Sequence, residues 1–406
     1  MSTVPAVDLS DHASFRDGFP HEFFTWLRDH APVWWHEPTP VTPDGEGFWV
    51  VSRYDHVMAV LRDPDTYSSE RGGTRQHGGT AIKDERQIGE LLNLTDDPKH
   101  RRLRALVNSG FTPRAIEALA TDVRVRVRDL LDRCPMGEPF EFVSAVAGEL
   151  PLQMICSILG VPQADRNLLC DWMDRGLAAG STSIIAPEFS HKLREYGMAL
   201  IEEKRRNPAD DILSTVVHAR SEEDGSALSD RELLGFFALL FPAGAETTRS
   251  AIAGAVKVFI DHPDQYELLK ADPGLAATAT EEIVRWTTPS VYKRRTATRG
   301  TMLAGQAIAA GDKVVFWEMS ANRDERVFDR PFVVDLTRSP NPHIGFGWGV
   351  HFCLGAHLAR MELRTTLEEL VTRYDGFEAA GSFEWMPNNR LFGLRSLTIR
   401  ARPRAA

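Results

Sequence analysis

FGWGVHFCLG, from Phe346 to Gly355, places one cysteine, Cys353, in a glycine-rich loop directly before a helix-like run. A thiolate needs positive charge or amide donors nearby to exist at neutral pH. A helix N-terminus supplies both, as partial positive charge and free N–H groups. After Cys353 the apolar residues Leu363, Leu367, Leu370 and Val371 recur at helical spacing, so the cysteine sits at or just before the start of a long amphipathic helix. Glycines at 345, 347, 349 and 355 let backbone approach a bulky flat group, or point N–H groups at the sulfur.

Three uses fit such a cysteine. As a nucleophile it would take His351, two residues away, as its base, in a hydrolase; but neighbours in a loop rarely point at each other. As an iron–sulfur ligand it would want further cysteines. Cys134, Cys156 and Cys170 instead sit in apolar helix-like contexts, as buried hydrophobes do. As an axial haem ligand it needs one cysteine, backbone donors to sulfur and aromatic shielding, for which Phe346 and Phe352 are at hand.

A second group lies in ALLFPAGAETTRSAIAG, Ala238 to Gly254. The run opens upstream at Ser229 with Glu232 three later, a capping box, and continues to Asp261 before His262-Pro263. That is about 32 residues, ~48 Å of helix. Pro242 removes an N–H and clashes one turn back, freeing the Ala238 carbonyl, and Gly244 weakens the helix again. An acid and an alcohol, Glu246 and Thr247, follow in an apolar neighbourhood, where a widened groove could hold water or oxygen. By themselves they also read as a helix threonine bonding back to a carbonyl and an acid paired with Arg249.

Glu282 and Arg285, three apart in EEIVRWTTP, share a helix face and can form an ion pair. His100 and Arg104, at i and i+4 in DDPKHRRLRALV, also share one face. The surrounding stretch from Lys99 to Arg114 holds five Lys or Arg and no acid, in a chain of net charge −10. An acidic chain is a poor nucleic-acid binder overall, and the stretch lacks interleaved aromatics.

FGWGVHFCLGAHLAR resembles the haem-binding loop of the cytochrome P450 superfamily, the thiolate-haem monooxygenases, at Phe346, Gly347, Gly349, Cys353 and Gly355. AGAETT is similar to the family's helix motif at Gly244, Glu246 and Thr247, with Glu where Asp is commoner. EEIVRW resembles its Glu-x-x-Arg motif, and DRPFVVDLTR resembles the segment whose basic residue, here Arg338, joins that network. The resemblance covers nearly the whole chain. PVWW, HRRLRALVNSGFTPRAIEAL and ELPLQMICSILGVPQADR are similar to the actinobacterial branch that includes sterol- and branched-lipid-chain hydroxylases.

The resemblance implies a good deal. Haem b sits between the long central helix and the cysteine loop of a triangular helical body, with Cys353 as metal ligand. His100, Arg104, Arg295 and His351 hold the propionates, which need cationic or hydrogen-bonding partners. Phe346, Gly244 and Gly355 complete the cofactor site. Thr247 steadies the bound oxygen and Glu246 helps relay the protons that split O–O. Glu282, Arg285 and Arg338 are structural. Substrate faces the loop 68–92, the region near 165–190, Phe237, Phe241, Ser290 to Tyr292 (with Val291) and Leu391–Phe392. The basic residues Arg71, Arg75, His77 and Lys83 suit an apolar substrate with a polar end: a sterol or fatty-chain acid, or a secondary metabolite, free or tethered to a carrier protein. Electrons come from a ferredoxin and its reductase, docked on the basic helix. A haem sensor without catalysis would lack the acid–alcohol pair, and peroxide-driven relatives usually lose it.

The elements that must position these groups are mostly helical. Strand signals are few and short: FWVVSRY near Phe48, MLAGQAIAAGDKVVF with KVVFW from Lys313, and SLTIRA near the C-terminus. The expected class is mainly α with a small β-rich region, one domain over residues 1–406. With 43% hydrophobic and 26% charged residues the composition is that of a globular protein with a large core. MSTVPAVDLSDHASF lacks the basic start and apolar core of a secretory signal. The longest apolar run, Leu233 to Ala245, is broken by Pro and Gly and falls short of the ~20 residues of a membrane span. A cytoplasmic protein is expected.

Overall fold

The computed structural model describes residues 7–71, 75–85, 91–169, 171–172 and 187–404. Its centre is one helix of 32 residues, Asp230–Asp261. Ser229 and Glu232 close the anticipated capping box, each side chain satisfying the other's backbone N–H. The helix stops at His262, before Pro263 opens the next helix. It is apolar on most sides, as a helix walled in by others must be, and Phe237, Phe241, Ile252, Val256 and Phe259 are buried. The helix runs unbroken through Pro242. Gly244 matters for packing: a Cβ there would stand 3.0 Å from Cδ1 of Ile155, on the crossing helix Glu149–Leu159.

The same core takes in the helix after the cysteine, Ala356–Arg373, whose Leu363, Leu367, Leu370 and Val371 are all buried. Cys134 and Cys156 are buried there too, while Cys170 lies outside the described residues.

Two smaller clusters sandwich a five-stranded sheet. Its order is Val33–His36, Phe48–Val51, Lys313–Trp317, Tyr292–Ala297, Tyr67–Ser68, antiparallel except where Phe48–Val51 runs parallel to Lys313–Trp317. Thr301–Leu303 and Gln306–Ile308 form a separate hairpin. Leu394–Pro403 pairs with Pro139–Glu141 on one side and Tyr374–Trp385 on the other. The strand signals read from sequence are all strands here. Tyr292–Ala297 was missed: YKRRTA carries three successive cations, yet its cations are partnered or turned to the site, so it serves inside the sheet. Among the described residues no helix is long and apolar enough to cross a membrane.

Candidate active site

The loop ahead of Cys353 folds by glycine geometry. Gly347 and Gly349 take left-handed backbone (φ 72° and 69°), which a side chain would strain. A Cβ at Gly345 would stand 2.8 Å from Val284, so glycine there lets the loop lie against the helix Ala276–Thr287. The Cys353 N–H donates to the Phe346 carbonyl at 2.9 Å, closing the loop. Gly355 caps the helix Ala356–Arg373 and directs its N–H to the sulfur. Cys353 keeps some exposed surface although protein surrounds it. Burial pushes its thiol up, opposed by the Gly355 N–H and by the charges of Lys293, Arg104 and Arg360. Phe346 is partly buried, with the Arg360 guanidinium 4.3 Å from its ring centroid. Phe352 is exposed, so the shielding expected of both rings falls to Phe346.

The four residues expected to hold propionates converge on this loop. The rings of His100 and His351 are 4.2 Å apart. Burial holds both imidazoles below the usual histidine range, His351 well below, and each feels Arg104 and Arg295. His351 Nε2 lies 2.9 Å from Ser69 Oγ. That leaves it no tie to Cys353 as a base. His100 Nε2 is buried without a hydrogen-bond partner. Arg295 is only 5% exposed, and among the described residues its guanidinium makes one hydrogen bond, to the Arg294 carbonyl. Burial brings its guanidinium down to about 10. Neither Arg104 nor Arg295 has a carboxylate within ion-pair distance among the described residues. A buried arginine, a half-buried one and an imidazole whose Nε2 is unpartnered, all beside one thiol, are a donor set for a ligand bearing carboxylates. Haem, with two propionates and an iron that a thiolate can ligate, fits that set.

On the central helix, Thr247 Oγ1 donates to the Ala243 carbonyl at 2.8 Å. Glu246 is buried and pairs with Arg249 at 3.3 Å. Both alternative readings of this pair from sequence are therefore its geometry here.

Residues 275–400 match the family model for cytochrome P450. The chain is 51% identical to a putative cytochrome P450 126 of Mycobacterium tuberculosis, over 98% of each chain. This chain belongs to the cytochrome P450 family. It is 40% identical to the methyl-branched lipid omega-hydroxylase of Mycobacterium tuberculosis, over 98% of this chain and 95% of that one. Its fold matches the crystal structure of CYP108D1 from Novosphingobium aromaticivorans with a TM-score of 0.88, at 32% identity, over 99% of this chain and all of that one. It is thus a haem-binding monooxygenase, which sets aside the cysteine hydrolase and the non-catalytic sensor.

The P450 Glu-x-x-Arg pair is fully buried: Arg285 grips both carboxylate oxygens of Glu282, at 2.7 and 2.8 Å. Arg338 reaches the same carboxylate at 3.1 Å, as does Asn341. Arg285 also bonds the Asn322 and Pro331 carbonyls, tying three segments under the cysteine loop.

The expected substrate residues divide. Phe237 and Phe241 bury their rings completely, Phe237 against Tyr196 and Gly197, so neither offers surface to a substrate in this conformation. Val291, Tyr292 and Phe392 are also packed into a core cluster; Phe392 stacks on Trp385 and Tyr292 lies against Trp317. Leu391 and Ser290, bridged to each other, are half-exposed. Arg75 is spent on Glu46 and Asp84, both at 2.7 Å, which corrects its reading as a substrate cation; Arg71, His77 and Lys83 are exposed. Parts of the loop 68–92 and most of 165–190 lie outside the described residues. Reading the sequence missed Lys293 and Glu318. The one signal for Lys293 was its place two before Arg295 on a strand, hence on the same face.

Proposed function

We propose that this P450 hydroxylates an aliphatic carbon of a lipid-like or sterol-like substrate, with electrons from a ferredoxin. The observation that carries the site assignment is the convergence of His100, Arg104, Arg295 and His351 around Cys353. When bound, haem supplies oxygen activation and insertion of one oxygen atom into C–H; thiolate donation favours O–O cleavage. Cys353 would hold the haem iron through its sulfur, steadied by the Gly355 N–H. Arg104 and Arg295 as cations, and His100 and His351 as hydrogen-bond partners, would hold the propionates, His100 Nε2 gaining the partner it lacks. Thr247, released from the Ala243 carbonyl, would be free to turn its hydroxyl toward the haem pocket and hold a proton there. Glu246, released from Arg249, would pass protons inward from Oε. Phe346 would keep water from the sulfur.

Two observations support the substrate class. The relative at 40% identity is named for hydroxylating a methyl-branched lipid. Leu391 and the exposed cations Arg71, His77 and Lys83 would suit a chain with an acidic end, free or carrier-tethered. For the donor, the basic helix Lys99–Asn108 offers Arg101, and Arg114 follows, both exposed. Arg102 is tied to Glu232 at 3.0 Å and Arg104 turns to the cysteine, so fewer cations face outward than the sequence suggested. Charge would steer an acidic ferredoxin to this face.

The deciding experiment titrates the haem-loaded protein with branched fatty acids, sterols and carrier-bound acyl chains, watching the Soret band, then identifies products formed with a ferredoxin and its reductase. A terminal or branch-point alcohol from one of these supports the proposal. Spectral inertness toward all three overturns the substrate class. Turnover indifferent to the ferredoxin, or to salt, overturns the donor.

A further inference from the structure

Tyr292–Ala297 turns alternate side chains to opposite faces, so Lys293 lies on the face that carries Arg295 toward the cysteine loop. Its ammonium is felt both at Cys353 and at His351. Lys293 Nζ bonds Oε2 of Glu318, which follows the neighbouring strand Lys313–Trp317. Glu318 is 0% exposed. Its Oε1 has no hydrogen-bond partner and points toward the loop, 3.9 Å from where a Cβ on Gly347 would stand. Arg295 feels this carboxylate too, though at longer range. Glu318 is therefore an internal anion set among the cations of the haem site, one oxygen of it occupied by Lys293.

A buried carboxylate is costly unless its charge serves or is cancelled. Lys293, being bound to Glu318, is not free to grip a propionate as Arg295 is. What remains to it is its field. Reduction of the iron adds one negative charge beside the thiolate. A cation nearby favours that charge and an anion opposes it, and both act strongly where protein replaces water.

We propose that Lys293 and Glu318 are positioning residues that set the reduction potential of the haem: Glu318 masks Lys293 and so holds the iron harder to reduce. Neither residue anchors the haem. Glu318→Gln keeps the shape and removes the negative charge, exposing Lys293. Lys293→Met with Glu318→Gln removes both charges and restores the balance.

The experiment is a spectroelectrochemical titration of the haem-loaded wild type, E318Q and the K293M/E318Q double variant, with haem content and circular dichroism measured on each. E318Q should raise the ferrous-to-ferric ratio at a fixed potential by about tenfold, ~59 mV for one electron. The double variant should return most of the way to wild type, which a merely structural lesion would not do. An unchanged potential in E318Q overturns the proposal. So does a double variant that stays with E318Q, or loss of haem from either. The inference rests on haem bound through Cys353. Absence of the red-shifted carbon monoxide band in wild type would sink that reading, whereas a normal band with no E318Q shift sinks only this one.

Discussion

Thr247 is hydrogen-bonded to Ala243, one turn back on its own helix, at 2.8 Å. The alcohol that the family motif assigns to oxygen chemistry is at rest on a carbonyl, and the acid beside it rests on Arg249. Both ties are local, so neither needs the fold to open when the groups are recruited. Thr247→Ala should leave folding and haem content unchanged. Product formed per electron should fall about a hundredfold or less, the lower range for loss of one proton-transfer group, with peroxide released instead. Thr247→Ser should keep most of the coupling. Equal coupling in the alanine variant, read as product against NADH consumed, would remove Thr247 from the reaction.

Cys353→Ala should abolish the strongly red-shifted Soret band of the reduced carbon monoxide complex. The cations remain, so some haem should still bind, with a different axial partner. Retention of the shifted band in this variant would assign the thiolate elsewhere.

Arg295→Leu separates the apo from the loaded protein. Arg295 is buried without a carboxylate partner, and burial lowers its guanidinium to about 10. Removing it breaks no internal ion pair, so the haem-free protein should melt at the same temperature or higher. Haem affinity should drop at least tenfold, ~1.4 kcal/mol. A haem-free protein that unfolds on this change would make Arg295 a structural residue.

Glu282→Ala strands Arg285, 0% exposed, without its bidentate partner. Breaking a buried pair from one side costs about 3–5 kcal/mol. We expect a thermal midpoint lowered by several degrees and a cysteine loop that loses haem on gel filtration.

Glu362, fully buried on the helix after the cysteine, has no hydrogen-bond partner for Oε2, and burial raises its carboxyl to about 8. Its folded pKa lies above its unfolded one, so the stability it allows is fully present below pH ~4.5 and is lost as pH rises through ~8. Glu362→Gln should therefore gain on wild type across that window and hold its advantage above it, by an amount on the order of a few kcal/mol. Melting curves between pH 5 and 9 that stay parallel for the two proteins would contradict this.

Much of the site is local in sequence, and that is why it could be read there. Loop glycines, a capping box and an i,i+3 ion pair are decided by neighbours within a turn or two. FGWGVHFCLG, Ser229 with Glu232, and Glu282 with Arg285 accordingly stand where their spacing put them. The residues alone left three uses open for the cysteine; the cofactor and reaction class came with the resemblance to the P450 motifs. The resemblance also carried His100, Arg104, Arg295, His351 and Arg338; apart from the shared helix face of His100 and Arg104, their sequence separation leaves no periodic trace.

The tertiary structure decided which polar groups are spent and which are open. Arg75 and Arg102 are free cations on a sequence, and paired ones once Asp84 and Glu232 are folded against them. Phe237 and Phe241 are apolar in either view, but only packing shows them walled in by Gly197 and each other. Lys293 and Glu318 are 25 residues apart and meet only because two strands pair antiparallel. Burial and long-range pairing depend on what the rest of the chain brings alongside, and a string of residue types does not contain that.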